Sequence, residues 1–419
     1  MTQKRMRRIA GFLNARLPQL KLGKVRDPRK RRGRRWHISQ LMTAALSGLM
    51  AGCKNLADVE AMTDTMSLGI RRLLKIPRRL ADTTLRDSLC RMSIDSLRQV
   101  LHRAVRAAWR RKSLKPVGLP FHMAAMDGKA TALPCWNSPY VQKKQPEDAP
   151  PHGLLRTVTT TLATAPGKPC IDVNPIPART NEMGHFRSAW ADLLEAHGDL
   201  FELVSYDAGA NSEPNARAVV DAKKHYLFHM ANEERHMTQL ADELLAHKQV
   251  VATSEDVINN RKTITRTVRL MAVSDHSNAA HHSFIWPHTR TLIRIDSVTR
   301  ETCADGSQQV THERRLYCSS LPKDQLFPRQ WLLMVRYHWA VETTHQVLDE
   351  SFEEDDRPWI VGDANGTLAV LILRRVAYTL LTLYRSISLR KRRQPSHALE
   401  APDAVAIRHA HRSQQIRVE

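Results

Sequence analysis

The chain has 419 residues, enough for two or three domains with sizeable cores. Lys and Arg outnumber Asp and Glu by 64 to 42, a formal charge of +22, which points to a polyanionic partner, nucleic acid being the commonest. The six cysteines (Cys53, Cys90, Cys135, Cys170, Cys303, Cys318) show no Cys-x-x-Cys spacing, which argues against a zinc ribbon; with no signal peptide visible, they read as reduced thiols of a cytoplasmic protein.

Residues 1–35 carry fourteen Lys or Arg against one acid, Asp27, and read as a basic arm that feeds a folded DNA-binding module. Ile38 to Met50 recurs at helical spacing and predicts a buried helix; it is too short to span a membrane. A second helix is predicted over Leu56 to Ile76. Asp82-Thr83-Thr84 offers N-cap chemistry for a third, and Ser93 caps a longer one that ends at Arg110-Arg111-Lys112. After Pro116 strands are predicted at Phe121–Met126, Leu154–Ala163, Cys170–Ile176, Leu200–Tyr206 and Tyr226–Met230. Helices over Met183–His197 and Pro214–Lys224 separate the later ones. Alternating segments at 264–274, 289–299 and 308–319 predict a β-rich insertion over 240–325. A helix beginning at Pro328 is predicted to carry Trp331, Trp339, Glu342, His345 and Asp349. An apolar helix over Leu368–Leu383 precedes Arg390-Lys391-Arg392-Arg393 and a loose tail. The domain expectation is therefore 1–115 helical, 116–239 and 326–393 as two parts of an α/β core, 240–325 inserted, and 394–419 as tail.

Asp127 and Asp207 each fall at the end of a predicted strand, where ligands of such sheets bind. Two carboxylates placed side by side repel unless cations intervene, and paired divalent ions serve phosphoryl transfer. Glu342 can supply a third carboxylate, because His338, Glu342, His345 and Asp349 share one stripe of a continuous helix. The spacing alone leaves alternatives open. Asp-Gly is more often a turn, a strand-end Asp is often a cap, and a stripe of His and carboxylates is often a solvated face.

The segment from Val335 to Asp355, VRYHWAVETTHQVLDESFEED, resembles the signature R-x-H-W-x-I-E-N-x-L-H-W-x-L-D-V-x-F-x-E-D of the ISAs1 and broader IS4-like insertion-sequence transposases. Met126-Asp127-Gly128-Lys129, Asn181-Glu182-Met183 and Ser205-Tyr206-Asp207-Ala208 resemble further landmarks in the same order, as do Asp27-Pro28-Arg29, Trp286-Pro287 and the segment 315–321. The chain departs from the pattern at Met230-Ala231-Asn232-Glu233, at Thr343 and at Gln346. Val335, His338 and Asp349 occupy the Tyr, Arg and Lys places of the wider IS4 group.

The resemblance implies an α/β fold: an RNase H-like catalytic core with a β-rich insertion, behind a helical N-terminal domain. It implies a DDE transposase in which Asp127, Asp207 and Glu342 bind two Mg²⁺, with Mn²⁺ as a substitute. Lys129, Arg336 and His338 are the expected DNA phosphate contacts near the metals, and His345 and Asp349 the groups behind the metal ligands. Arg29, Arg31, Arg32, Arg34 and Arg35 are expected to bind double-stranded DNA, both terminal inverted repeats and target. A homodimer on DNA, no membrane, and a bacterial, nucleoid-associated location complete the expectation. Two alternatives stand beside it: a degenerate or domesticated relative that only binds DNA, and a nuclease without strand transfer.

Overall fold

The computed structural model describes residues 3–392, apart from 31, 33, 149, 208, 210, 233–234, 259–260, 276–282 and 304–305. The expected tail therefore lies outside the described residues. The chain divides into two compact units, Met1–Ser205 with Tyr337–Ile387, and Tyr206–Arg336 with Ser388–Glu419.

Among the described residues, the first unit opens with the α-helices α1 (Gln3–Asn14), α2 (Leu17–Leu20), α3 (Ile38–Ala51), α4 (Leu56–Thr65), α5 (Leu68–Leu74), α6 (Asp82–Cys90) and α7 (Ile94–Arg110). Met6, Ile9, Ala10 and Leu13 sit one helical turn apart and are buried, so α1 packs its apolar stripe on α3 and α5. The basic arm expected over 1–35 therefore begins as a helix packed into the helical module. The single helix predicted over Leu56–Ile76 is two, parted at Met66-Ser67, where both residues are extended. Ser93 does cap α7, accepting from the Ser96 amide at 3.3 Å.

The strands β1 (Met123–Leu133), β2 (Val141–Lys144), β3 (His152–Leu162) and β4 (Cys170–Pro175) follow, then α8 (Glu182–His197) and β5 (Leu203–Tyr206). β3 pairs antiparallel with β1 on one edge and with β2 and β4, end to end, on the other, while β5 lies beside β1. The chain then passes to the second unit: α9 (Glu213–Asp221), β6 (His225–His229), α10 (His236–Ala246), β7 (Ala252–Ile258), β8 (Lys262–Ala272), β9 (Thr291–Thr302) and β10 (Gln308–Ser319). These strands run in the order β6-β10-β9-β8-β7 with antiparallel pairings. The β-rich character of this region matches the sequence reading, with α10 and β7 added. The last helices are α11 (Pro328–His338), α12 (Ala340–Phe352) and α13 (Ala364–Arg392). The protein is therefore mixed α/β.

Period-two alternation assigns the first unit's layers. Asp127, Thr159 and Thr161 face α12 and α13: Thr161 meets Thr344 at 3.1 Å and Thr159 accepts from Arg375 at 3.3 Å. Asp172 and Asn174 of β4 face the other way, to α7 and α8. There Arg98 and His102 bond Asp172 at 2.9 and 2.7 Å, and His185 bonds Asn174 at 2.8 Å. Burial alone would raise the Asp172 carboxyl, but the His102 hydrogen bond and the Arg98 charge outweigh it and hold it well below the usual carboxylate range.

The stretch Ala364–Ser386 is long and apolar enough to cross a membrane by length and composition. It is a core helix instead. Nearly all of it is buried, and Arg374 and Arg375 at its centre make ionic and carbonyl bonds inside the first unit.

His197 at the end of α8 is fully buried, with Nε2 bonded to the Ile171 carbonyl at 3.0 Å. Burial, then the neighbouring His102, pushes its pKa down to about 3. The native state therefore stays unprotonated while the unfolded state takes up a proton below about pH 6.5, so stability falls as pH drops from there towards 3. One such group removes about 2 kcal/mol between pH 6.5 and 5. Urea unfolding of His197→Gln, whose amide can keep the Ile171 bond, is expected to lose that share of the pH slope. A slope equal to that of the unsubstituted protein would contradict the assignment.

Candidate active site

Asp127 does not end its strand. It lies in the interior of β1, opposite Thr159, which corrects the strand-end expectation. Asp-Gly is no turn here either. A Cβ on Gly128 would meet the end of the flexible Glu182 side chain, at the first turn of α8, which would have to shift to admit it.

Alternation puts Asp127, Lys129 and Thr131 on one face of β1, beneath α12 and the segment after it. His345 Nδ1 stands 3.2 Å from Asp127 Oδ2, Lys129 Nζ meets Asp349, and Thr131 donates to Asp355 at 3.3 Å. Two residues along a strand advance about 6.6 Å, and four along a helix about 6 Å, so strand and helix stay in step over the first two pairs. Glu342 lies in the first turn of α12, one turn before His345, and is exposed. His345 Nε2 is buried with no hydrogen-bond partner.

The continuous polar stripe is corrected as well. The helix breaks at Trp339 (φ −77°, ψ 2°), so His338 ends α11 while Glu342, His345 and Asp349 belong to α12. His338 is buried at 2% exposure, with its ring edge-on to Trp339, not presented to DNA.

Lys129, expected at a phosphate, is instead enclosed by Asp349, Glu354 at 3.4 Å and Asp355 at 3.2 Å, with only 8% of its side chain exposed. Glu354 and Arg375 form a wholly buried pair at 2.7 Å, and Arg374 donates to the Glu354 carbonyl at 3.1 Å. Burial pushes Glu354 up, but Arg375, then Lys129, outweigh it and leave the carboxyl below its usual range. Asp349 moves the other way. Burial raises it, and Asp355 and Glu354 add to that against Lys129. The sequence reading missed Glu354 and Arg375, although two adjacent arginines in an apolar helix are a signal that a buried acid must face them.

In the second unit Asp207 directly follows β5, as expected, and its side chain is half exposed. His229, the last residue of β6, holds its Nδ1 3.0 Å from Asp207 Oδ1. The sequence reading missed this histidine too. Arg336 is turned to Asp256 of β7 at 3.3 Å.

Of the arginines expected on DNA, Arg29 is engaged within its own loop: it pairs with Asp27 at 2.8 Å and donates to the Trp36 carbonyl. Arg32, Arg34 and Arg35 are exposed, Arg34 reaching Asp27 at 3.5 Å, and Arg31 lies outside the described residues.

Carboxylate oxygen is the hard donor that Mg²⁺ takes, and the residue types of Asp127, Asp207 and Glu342 suit it. Asp127 retains acceptor capacity beyond the Gly128 amide at 2.9 Å and His345, since an ionised carboxylate offers about four acceptor positions. Among the described residues, no three His, Cys, Asp or Glu side chains gather closely enough to hold a metal ion as they stand.

No protein-family model matches this chain, and no curated protein matches it. Among solved structures, a cryo-EM structure of the piggyBac transposase synaptic complex with hairpin DNA aligns with a TM-score of 0.41 at 10% identity, over 98% of this chain and 77% of that one. A likeness of that size assigns no family.

Proposed function

We propose that the protein is a DDE-type transposase of the ISAs1/IS4-like kind, built on an RNase H-like core. Asp127, Asp207 and Glu342 would hold two Mg²⁺ ions. The observation that carries this reading is the keying of α12 onto β1: the helix bearing Glu342 sits against the strand bearing Asp127, in step with it and in contact through His345. The strand order β4-β3-β1-β5 of the first unit supports it, because it puts Asp127 on an inner strand.

When bound, the two ions supply Lewis acidity to the attacking water or 3′ hydroxyl and to the leaving 3′ oxygen. The chain's own contribution is to hold the carboxylates. β1 fixes the backbone of Asp127 against Thr159 of β3, the Gly128 amide donates to its Oδ1, and the first turn of α12 sets Glu342. The ion pairs of Lys129 with Asp349, Glu354 and Asp355 tie α12 and the segment after it to β1 behind this face. Double-stranded DNA is the substrate, bound through the basic N-terminal loop, and pairing of two ends calls for a homodimer on DNA.

The test is cleavage of a duplex carrying the DNA that flanks the gene. Mg²⁺-dependent 3′-hydroxyl ends that join to a second duplex are expected. Cleavage without joining would make the protein a nuclease, and binding without cleavage in Mg²⁺ or Mn²⁺ would contradict the enzymatic reading. A relative that only binds DNA is the second reading, favoured by Thr343 and Met230 at the places where the resemblance fails.

The exposed arginines have their own test. Deleting 1–35 would strip α1 from the core, so the informative variant is Arg32→Ser/Arg34→Ser/Arg35→Ser. Each phosphate contact contributes about 0.9 to the slope of log K against log salt, so the triple variant is expected to flatten it by roughly 2 to 3. An unchanged slope removes these residues from the interface.

A further inference from the structure

We propose that His229 is a positioning residue for Asp207, fixing the carboxylate in the orientation that takes a divalent cation; this rests on the function proposed above. Asp207 stands just past the end of β5 with half its side chain in solvent. His229 is held by the strands around it. Its residue pairs in register with Tyr317 of β10, its carbonyl accepts from Asn211 Nδ2 at 2.9 Å, and its ring lies 5.0 Å from the Tyr317 ring. Only 14% of its side chain is exposed.

From that fixed place Nδ1 reaches Asp207 Oδ1 at 3.0 Å. An ionised carboxylate only accepts, so the imidazole is the donor and Nδ1 carries the hydrogen. One such bond takes one of about four acceptor positions and sets the carboxylate's plane. The first unit shows the same pairing of groups, with His345 Nδ1 3.2 Å from Asp127 Oδ2. Two of the three proposed ligands thus each stand against a histidine Nδ1, on separate units and from unrelated elements: a strand end for His229 and a helix for His345. Packing alone does not require a polar donor at both.

The test is Mn²⁺ binding by the full chain, followed by electron paramagnetic resonance of the free ion, with circular dichroism to confirm the fold. His229→Leu removes the donor. His229→Asn keeps one, because the Asn Nδ2 falls near the position of the histidine Nδ1. The Leu variant is expected to bind Mn²⁺ about 10- to 100-fold more weakly, as is usual when a group behind a metal ligand is lost, and the Asn variant to recover most of that. DNA affinity without metal should not change in either. Wild-type Mn²⁺ affinity in the Leu variant, where Asp207→Asn is weakened, would overturn the positioning role alone. Asp207→Asn binding Mn²⁺ as the wild type does would overturn the metal reading and this proposal with it.

Discussion

Glu354→Ala is expected to destabilise the first unit by about 3 to 5 kcal/mol, the usual cost of leaving a buried charge without its partner. Arg375 and Glu354 expose none of their side chains, and Arg375 Nη1 lies 2.7 Å from Glu354 Oε2. Among the described residues, removing the carboxylate leaves the guanidinium the Thr159 hydroxyl at 3.3 Å and the Leu371 carbonyl at 3.0 Å as hydrogen-bond partners. Lys129 also loses one of its three carboxylates, which loosens β1 next to Asp127. A double change, Glu354→Ala with Arg375→Met, removes both charges and is expected to recover much of the loss, since desolvation then falls on neither. Urea unfolding followed by circular dichroism measures both. A loss below about 1 kcal/mol in the single variant would mean that the pair is not buried as a unit.

The sequence carried a good deal of this arrangement. Local signals were sufficient for α3, α7, β3, β4, β6, β8, β9 and β10, because apolar period, β-branched content and Ser93 capping are read within one element. What it hid was set by contacts distant in sequence. Asp127-Gly128 can read as a turn locally, because the strand partners that hold it extended, Thr159 and Val158, lie far along the chain. The break at Trp339 has no Pro or Gly to mark it, and hydrophobic spacing runs on through it. Lys129 looked like a free cation near an acidic site, and only folding shows that the acids around it come from the end of α12 and the residues after it. His229 carried no motif at all; its role arises from the pairing of β6 with β10. The basic N-terminal run concealed an amphipathic helix, since Met6, Ile9 and Leu13 lie among its arginines. Composition reads charge well, but not which charges are used inside the fold.

The largest expected effect falls on chemistry. Asp127→Ala, Asp207→Ala and Glu342→Ala should each lower Mg²⁺-dependent cleavage of the flanking DNA by about a thousandfold or more, because a metal ligand set contributes several kcal/mol to transition-state stabilisation. Folding should be little affected. Asp207 and Glu342 are half-exposed and exposed, and the Asp127 carboxylate bonds locally to the next amide. DNA affinity should hold as well, since removing an acid does not weaken attraction to phosphate. His345→Ala, which spares the ligands themselves, should fall between wild type and these variants. The decisive measurement is the single-turnover cleavage rate of the three alanine variants beside the wild type, at saturating DNA, in Mg²⁺ and again in Mn²⁺. Metal-dependent cleavage by the wild type, and its loss in all three variants with DNA binding intact, is the expected result. Cleavage at the wild-type rate by any one of them would contradict the three-carboxylate site.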